Sequence, residues 1–156
     1  MRYAGLEKND FINGEGVCVS FWVQGCPHKC LGCHNPKTLD YGGGQPLPSD
    51  YRGQIIKAIS ANGIIRNFSI LGGEPLCSHN LELTKKVLSA VRVAYPQIKI
   101  FLWTGYVIEE LNLEQKEVLK YIDVLIDGPF IQDLRDTTLK LRGSSNQRIL
   151  EKGIDF

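Results

Sequence analysis

Three cysteines lie within eight residues of this chain, and they constrain its fold more than any other segment. Cys26, Cys30 and Cys33 have the spacing C-x3-C-x2-C. A proline follows the first of them, and a glycine precedes both the first and the last, so regular helix or strand is disfavoured there. The segment is therefore predicted to be a loop that turns three sulfurs toward one point. Such a loop indicates a metal site.

The number of thiols leaves two interpretations of that site open. Structural zinc takes four ligands and can be held by three cysteines and one histidine, and His28 or His34 could be the fourth. Iron–sulfur clusters are usually held by four cysteines. Three thiols around a cubane of four irons leave one iron without a protein ligand, and that iron can bind a substrate.

Length and composition predict one domain over residues 1–156, with ordinary globular values of 43% hydrophobic and 22% charged residues. The formal net charge of +1 argues against a broad nucleic-acid surface. No apolar stretch reaches the roughly 18 to 20 residues of a membrane span, and the first residues lack a signal-peptide core. We therefore expect a cytoplasmic protein with no nucleic-acid or membrane partner, in which clustered thiols serve metal chemistry rather than disulfides.

Hydrophobic periodicity predicts strands alternating with helices. Val19 and Phe21 share one face of the first strand with the valines at its ends, and Cys18 lies on the other. One helix is predicted to begin at an N-cap on Ser49, and a capping box is predicted at Asn112 and Gln115. Strands are predicted over 17–23, 64–71, 98–103, 124–126 and, more irregularly, 139–142, and a second helix over about 80–94. Successive strand and helix units imply a parallel sheet with right-handed crossovers.

The unusual segments all follow strands. The cysteine loop, Gly72-Gly73-Glu74, Thr104-Gly105-Tyr106 and Asp127-Gly128 each come directly after a predicted strand. The carboxyl ends of parallel strands form the edge where such sheets bind ligands. The two glycines let backbone approach a small ligand closely, and Glu74 adds a negative charge suited to an ammonium group. Together these features describe a site for an amino acid bound to iron.

At this point a resemblance to a known family can be stated. C-x3-C-x2-C after a first strand, followed by Gly-Gly-Glu after a second, resembles the radical S-adenosylmethionine (radical SAM) superfamily. More narrowly, the chain resembles the glycyl-radical activases that act on the anaerobic ribonucleoside-triphosphate reductase. The segments that carry this narrower resemblance span almost the whole chain: 10–16, 25–35, 71–76, 103–106, 123–128 and 142–147.

The resemblance implies a fold and a set of cofactors. The fold would be an α/β, short, incomplete (βα) barrel with a parallel sheet and helices on the outside, whose open side could admit a loop of a protein substrate. Cys26, Cys30 and Cys33 would hold a [4Fe–4S] cluster, and the methionine end of SAM would chelate the open iron. Further SAM contacts would come from residues beside the cluster and at the end of the second strand: Gly32, Cys33, His34, Gly72, Gly73 and Glu74.

The resemblance also implies an activity and partners. The reduced cluster would cleave SAM to methionine and a 5′-deoxyadenosyl radical, which would abstract a hydrogen from a glycine of the reductase large subunit. The chain would then be a glycyl-radical-generating oxidoreductase that has no catalytic side chains beyond the cluster and SAM site and is reduced by a small protein such as flavodoxin. The alternatives are an activase of another glycyl-radical enzyme, such as pyruvate formate-lyase, and a non-catalytic metal or electron-transfer module.

Several residues receive structural interpretations instead. Many superfamily members carry an aromatic residue immediately before the last cysteine, where this chain has Gly32, and His34 follows the cysteine instead. Both histidines of the loop are otherwise expected to be solvated. Trp103 is predicted to lie in the core, Cys18 to be half-buried and Cys77 buried, and Asp127 to form a turn or cap. Arg142 and Arg148 are expected to be surface charges.

Overall fold

The computed structural model describes residues 1–156 and contains one mixed seven-stranded sheet. Its strands are Arg2–Asp10 (β1), Cys18–Val23 (β2), Gln45–Pro46 (β3), Asn67–Gly72 (β4), Ile100–Trp103 (β5), Val124–Asp127 (β6) and Arg148–Glu151 (β7). Its α-helices are Tyr51–Ile59 (α1), Leu81–Ala94 (α2) and Leu113–Lys116 (α3). The spatial order of the strands is β3-β1-β2-β4-β5-β6-β7. No helix is both long and apolar enough to span a membrane.

The centre of the sheet is parallel and its edges are antiparallel. Strands β2, β4, β5 and β6 pair in parallel, as the sequence predicts. In contrast, β1 and β3 pair antiparallel at one edge and β7 at the other. The connection from β1 to β2 spans only residues 11–17, which is too short for a crossover, so the second strand must run back along the first. The prediction of a parallel sheet therefore holds for the four central strands alone.

The two faces of the sheet differ. Val19, Phe21 and Val23 point to one face and pack with α1 and α2 in the main hydrophobic core, as their alternation predicts. The opposite face carries a smaller cluster, Phe101, Val124 and Ile126, with Trp103 and Leu141 packed against it. Because both longer helices pack on the face that forms the main core, loops cover the opposite face of the sheet.

The helices follow their apolar periodicity closely. In α2 the predicted inner-face residues are all buried: Leu81, Thr84, Val87, Leu88 and Val91. The capping box of α3 is confirmed, because the backbone N–H of Gln115 donates to Asn112 at 2.8 Å and that of Asn112 donates to Gln115 at 3.0 Å. The N-cap of α1 is Asp50 rather than Ser49, and no side-chain hydrogen bond caps that end.

Two predicted strand segments are not strands. Ile64 and Ile65 are exposed, and the strand begins only at Asn67. The guanidinium group of Arg66 donates to three carbonyl oxygens of residues that precede it in the chain. Residues 139–142 are irregular and bent, and the positive φ of Leu141 (+64°) lies outside the β region. The buried positions of Cys18 (0% exposed) and Cys77 (3%) agree with small core residues, although Cys18 is more buried than predicted.

Candidate functional site

A cavity of about 450 Å³ opens where the central parallel strands end. All three cysteines of the loop line it, and so do Gly72, Gly73 and Glu74. Thr104 and Gly105 after β5 and Gly128 after β6 complete this side of the cavity. The structure thus brings together, at one sheet edge, the strand-end segments that the sequence singles out.

The cysteine loop is shaped by left-handed backbone. Lys29 has a φ of +51° and Gly32 of +74°, which turns the chain twice between the first and last cysteine. Backbone hydrogen bonds fix the start of the loop, from Gly25 to Thr38 at 2.7 Å and from Cys26 to Leu39 at 3.1 Å. The three thiols are free and half-buried, and burial raises the pKa of the Cys26 thiol to about 11. Metal binding would deprotonate such a thiol.

The arrangement of donors tests the two metal interpretations. No group of three or more His, Cys, Asp or Glu side chains converges as ligands of a single metal ion. His28 Nε2 instead hydrogen-bonds Glu74 Oε2 at 2.7 Å, and the His34 ring packs edge-on against Phe130. A structural zinc site with a histidine as fourth ligand therefore has no support. The three thiols line one cavity, but they do not converge as a metal-binding group, so the prediction that the loop turns three sulfurs toward one point is confirmed only to that extent.

The two glycines after β4 permit close contact with the cysteine loop. A Cβ on Gly73 would lie 2.2 Å from the Gly25 carbonyl oxygen, and one on Gly72 would lie 2.4 Å from that of Val23. Hydrogen bonds cross the same contact, from Gly73 to Val23 at 3.1 Å and from the Glu74 backbone to Gly25 at 2.9 Å. The sequence predicts that these glycines admit a ligand. They also let two strand ends pack backbone against backbone.

Glu74 is the most buried charged group that lines the cavity, at 1% exposure. Its Oε1 accepts from the Leu76 N–H at 2.9 Å and from the Thr104 hydroxyl at 2.7 Å. Its Oε2 accepts from the Gly105 N–H and from His28, each at 2.7 Å. The carboxylate therefore links the ends of β4 and β5 to the cysteine loop.

The ends of β5 and β6 carry two residues whose surroundings differ from expectation. Trp103 lines the cavity instead of lying fully in the core, and its indole N–H donates to the Leu141 carbonyl at 2.8 Å. Asp127 is fully buried behind the cavity, where it accepts from the Ile108 N–H and from Arg148. Asp127 thus has a structural role, but it lies in β6 and not in the turn or cap that the sequence predicts. Arg148 is ion-paired with it rather than free at the surface.

Arg142 is a cavity residue that sequence reasoning missed. It is half-buried and is the only lysine or arginine that lines the cavity. Its Nη1 donates to the Gln147 carbonyl at 2.9 Å, while its buried Nε has no hydrogen-bond partner. The Gln147 side chain accepts from the N–H groups of Gly143 and Ser144, which holds the turn in shape. The polar turn is visible in the sequence, but its position over the sheet edge is not.

The loop between β1 and β2 forms another part of the cavity through Ile12 and Asn13. The Asp10 carboxylate accepts from both backbone N–H groups, from the Asn13 side chain and from Ser20. Burial opposes ionisation of Asp10, but these hydrogen bonds hold its pKa below the ordinary value. The Asp10 carboxylate therefore holds the first half of this loop, while Asn67 and Lys99 donate to Glu15 in its second half.

Comparisons with known proteins agree with this geometry. Residues 12–150 match the model of the family described as 4Fe-4S single cluster domain. The chain is 40% identical over 148 residues to an Escherichia coli (strain K12) protein, covering 94% of this chain and 96% of the relative. It is 39% identical over 150 residues to proteins of Haemophilus influenzae and of Enterobacteria phage T4, covering 96% of this chain and 97% and 93% of the relatives. All three relatives are called anaerobic ribonucleoside-triphosphate reductase-activating protein.

Proposed function

Since the chain belongs to the family of anaerobic ribonucleoside-triphosphate reductase-activating proteins and carries a 4Fe-4S single cluster domain, we propose that it installs a glycyl radical on the large subunit of such a reductase. The observation that carries the proposal is that Cys26, Cys30 and Cys33 line one cavity while the two candidate fourth ligands, His28 and His34, contact Glu74 and Phe130 instead. A structural zinc site would need a fourth protein ligand, whereas a radical SAM cluster needs one iron that has no protein ligand.

Cys26, Cys30 and Cys33 are the proposed ligands of a [4Fe–4S] cluster. When bound, such a cluster supplies the electron that cleaves SAM to methionine and a 5′-deoxyadenosyl radical. The protein then has to bind SAM, orient it and keep other reactants out. The half-buried thiols at the inner end of a loop are suited to this, because they hold the cofactor away from bulk solvent.

SAM would occupy the remaining volume of the cavity. About 450 Å³ lies within the range of small-molecule sites. We propose that Gly32, Cys33 and His34 contact it from the cluster side and that Gly72, Gly73 and Glu74 lie beside its amino group. The carbonyl groups of the two glycines can accept hydrogen bonds from an ammonium, and the nearby carboxylate adds favourable charge.

The fold suits a protein substrate. We propose that residues 1–156 form one radical SAM domain, a short and incomplete version of the (βα) barrel with its helices outside. Support comes from four parallel strands with α1 and α2 on a single face. Four parallel strands are too few to close an eight-stranded barrel, so one side of the site can admit the glycine-bearing loop of the reductase. A small reductant such as flavodoxin would supply electrons.

The first test is chemical. The protein is reconstituted with iron and sulfide under anaerobic conditions, reduced and given SAM, and methionine and 5′-deoxyadenosine are quantified. We expect a brown, oxygen-sensitive protein that forms both products in equal amounts. A fully reconstituted sample that leaves SAM intact would overturn the proposal in favour of a non-catalytic electron-transfer module, and stoichiometric zinc in place of iron would favour a structural metal site.

The second test concerns the partner. The reduced protein and SAM are mixed with the large subunit of the anaerobic ribonucleoside-triphosphate reductase or with pyruvate formate-lyase, and the glycyl radical is measured by electron paramagnetic resonance. We expect the radical only on the reductase. A signal on pyruvate formate-lyase alone would reassign the chain to a different activase.

A further inference from the structure

We propose that His28 is a positioning residue, which anchors the cysteine loop to the ends of β4 and β5 through the buried carboxylate of Glu74. The inference rests on the proposed function, since it concerns the loop that would hold the cluster. Glu74 would then act through His28, in addition to any electrostatic attraction between its carboxylate and SAM.

The hydrogen bonds of Glu74 are the first support. A carboxylate offers about four lone-pair sites. In Glu74 these sites receive donors from Leu76, Thr104, Gly105 and His28, at 2.7 to 2.9 Å. No site remains for a direct hydrogen bond from a ligand ammonium. Because three of these donors belong to the ends of β4 and β5, His28 is the donor that connects the carboxylate to the cysteine loop.

The isolation of the loop is the second support. Among residues 27–33, the one main-chain hydrogen bond runs within the loop, from the Cys33 N–H to the Cys30 carbonyl. The His28 side chain makes the only hydrogen bond from these residues to a distant part of the chain. His28 lies two residues from both Cys26 and Cys30. Its hydrogen bond therefore limits the movement of two proposed cluster ligands together.

The packing of the imidazole is the third support. The His28 ring meets the Tyr106 ring edge-on, with centroids 4.5 Å apart and an interplanar angle of 73°. A Cβ on Gly105 would lie 2.5 Å from His28 Cδ2, so the absence of a side chain at 105 makes room for the ring. A ring fixed by an aromatic edge, a glycine and a carboxylate has one orientation. That orientation is what a positioning role requires.

The test measures cluster retention without SAM or reductase. The reconstituted protein is exposed to an iron chelator under anaerobic conditions, and the rate of iron loss is followed. Groups that hold metal ligands in place typically contribute about 10–100-fold to metal affinity, so we expect His28→Ala to lose iron about tenfold faster. His28→Gln, which keeps a side-chain N–H donor, should restore part of the difference.

A double-mutant cycle connects the effect to Glu74. Glu74→Gln alone should also accelerate iron loss, and the double variant with His28→Ala should lose iron more slowly than the product of the two separate effects predicts, because both changes weaken the His28–Glu74 hydrogen bond. His79→Ala is the matched control. The His79 ring packs edge-on against Tyr41 at 4.6 Å but has no carboxylate partner, so we expect wild-type iron loss.

A second measurement uses the iron-free protein. Lys29 is exposed and follows His28, so trypsin cleavage after Lys29 reports movement of the loop. We expect faster cleavage in His28→Ala than in wild type, with other tryptic sites unchanged. Unchanged cleavage and unchanged iron loss in His28→Ala would overturn the inference, as would additive effects in the cycle. Failure of SAM cleavage in wild type would refute the proposed function alone, because neither readout uses SAM.

Discussion

The five cysteines divide into two groups by their surroundings. Cys26, Cys30 and Cys33 line the cavity, whereas Cys18 and Cys77 are buried elsewhere. Burial raises the pKa of both of these core thiols, as it does that of Cys26, so the two groups differ in where their sulfurs lie rather than in how readily they ionise. The division follows from the spacing in the sequence, because only three thiols are close enough along the chain to share one loop.

Alanine substitution should separate the two groups. Cys26→Ala, Cys30→Ala and Cys33→Ala are each expected to abolish the cluster, because two thiolates remain where three are needed. Iron content and the absorbance of the reconstituted protein check this. Cys18→Ala and Cys77→Ala serve as controls and should retain iron at the wild-type ratio. A normal cluster in Cys30→Ala would mean that the ligand set is misassigned.

Gly73 should tolerate no side chain. A Cβ there would overlap the Gly25 carbonyl and also lie 2.8 Å from that of Thr38, and backbone atoms cannot move aside cheaply. Overpacking of this kind costs about 1–3 kcal/mol, so Gly73→Ala should lower the free energy of unfolding by about that amount. Urea denaturation of the iron-free protein measures it. Gly53→Ala in α1 is the control, because nothing lies within 4 Å, and it should be neutral or stabilising.

Residue identities at the site were predictable, but their partners were not. Gly72, Gly73 and Glu74 could be assigned to the strand edge because they directly follow an apolar run. The partner of Glu74 in the cysteine loop lies 46 residues away, and its partner Thr104 lies 30 residues away. No local sequence pattern predicts contacts between residues so far apart along the chain. Arg142 was missed for the same reason, since its position depends on how residues 128–147 return to the sheet edge.

At the scale of elements, β7 pairs antiparallel with β6, and the ion pairs of Arg148 add to that contact. Arg148 contacts buried Asp127 at 2.6 Å and exposed Glu109 at 2.7 Å. The hydrogen bonds from Arg148 lower the pKa of Glu109 from 4.5 to about 2. Because the folded-state pKa is depressed, the stability contributed by Glu109 is present above about pH 4.5 and is lost as the pH falls toward 2.

Replacement of Arg148 should therefore change acid stability. Arg148→Met leaves the buried Asp127 carboxylate without its cation, and we expect a loss of about 2 kcal/mol at neutral pH, below the cost for fully buried pairs because Arg148 is 42% exposed. The difference in melting temperature from wild type should narrow between pH 4.5 and 2. Lys140→Met removes an exposed charge with no ion pair and should show neither effect.

Elements with strong apolar periodicity were predicted from the sequence, whereas the strands at or near the edges of the sheet were not. The inner face of α2 matched its periodicity residue by residue. The β1 strand was missed because most of its residues are half-buried without alternation, and β7 because it is short and carries exposed residues on both sides of Leu150. β7 pairs on one side only, and β1 has a second partner only at Arg2 and Tyr3, so hydrogen bonds, rather than apolar burial, define these strands.

At the scale of the whole molecule, the proposed open coordination position of the cluster is testable by spectroscopy. We expect the electron paramagnetic resonance spectrum of the reduced, reconstituted protein to change when SAM is added. S-adenosylhomocysteine has a thioether in place of the sulfonium of SAM and keeps the amino acid end. It should also perturb the spectrum, without being cleaved. An identical spectrum with and without SAM would argue against direct contact between SAM and the cluster.

The centre of the sheet was predictable from the sequence. Four strand units that alternate with helices or loops specify the parallel strands β2, β4, β5 and β6, because each crossover has one favoured hand. The antiparallel edges involve β1, β3 and β7, which the sequence did not predict as strands, so the short connection between β1 and β2 could not be used. The sheet edge that holds the site belongs to the predictable part, so the location of the site could be inferred before its details.

The cavity draws its lining from almost the entire length of the chain, from Ile12 to Gln147. Translation proceeds from the first of these residues to the last, and domains generally fold as units during or after synthesis. The cysteine loop therefore leaves the ribosome more than a hundred residues before Gln147, and its thiols have no complete enclosure during that interval. If these thiols hold the proposed cluster, we expect its insertion to follow synthesis of the residues up to Gln147, because only then is the cavity complete.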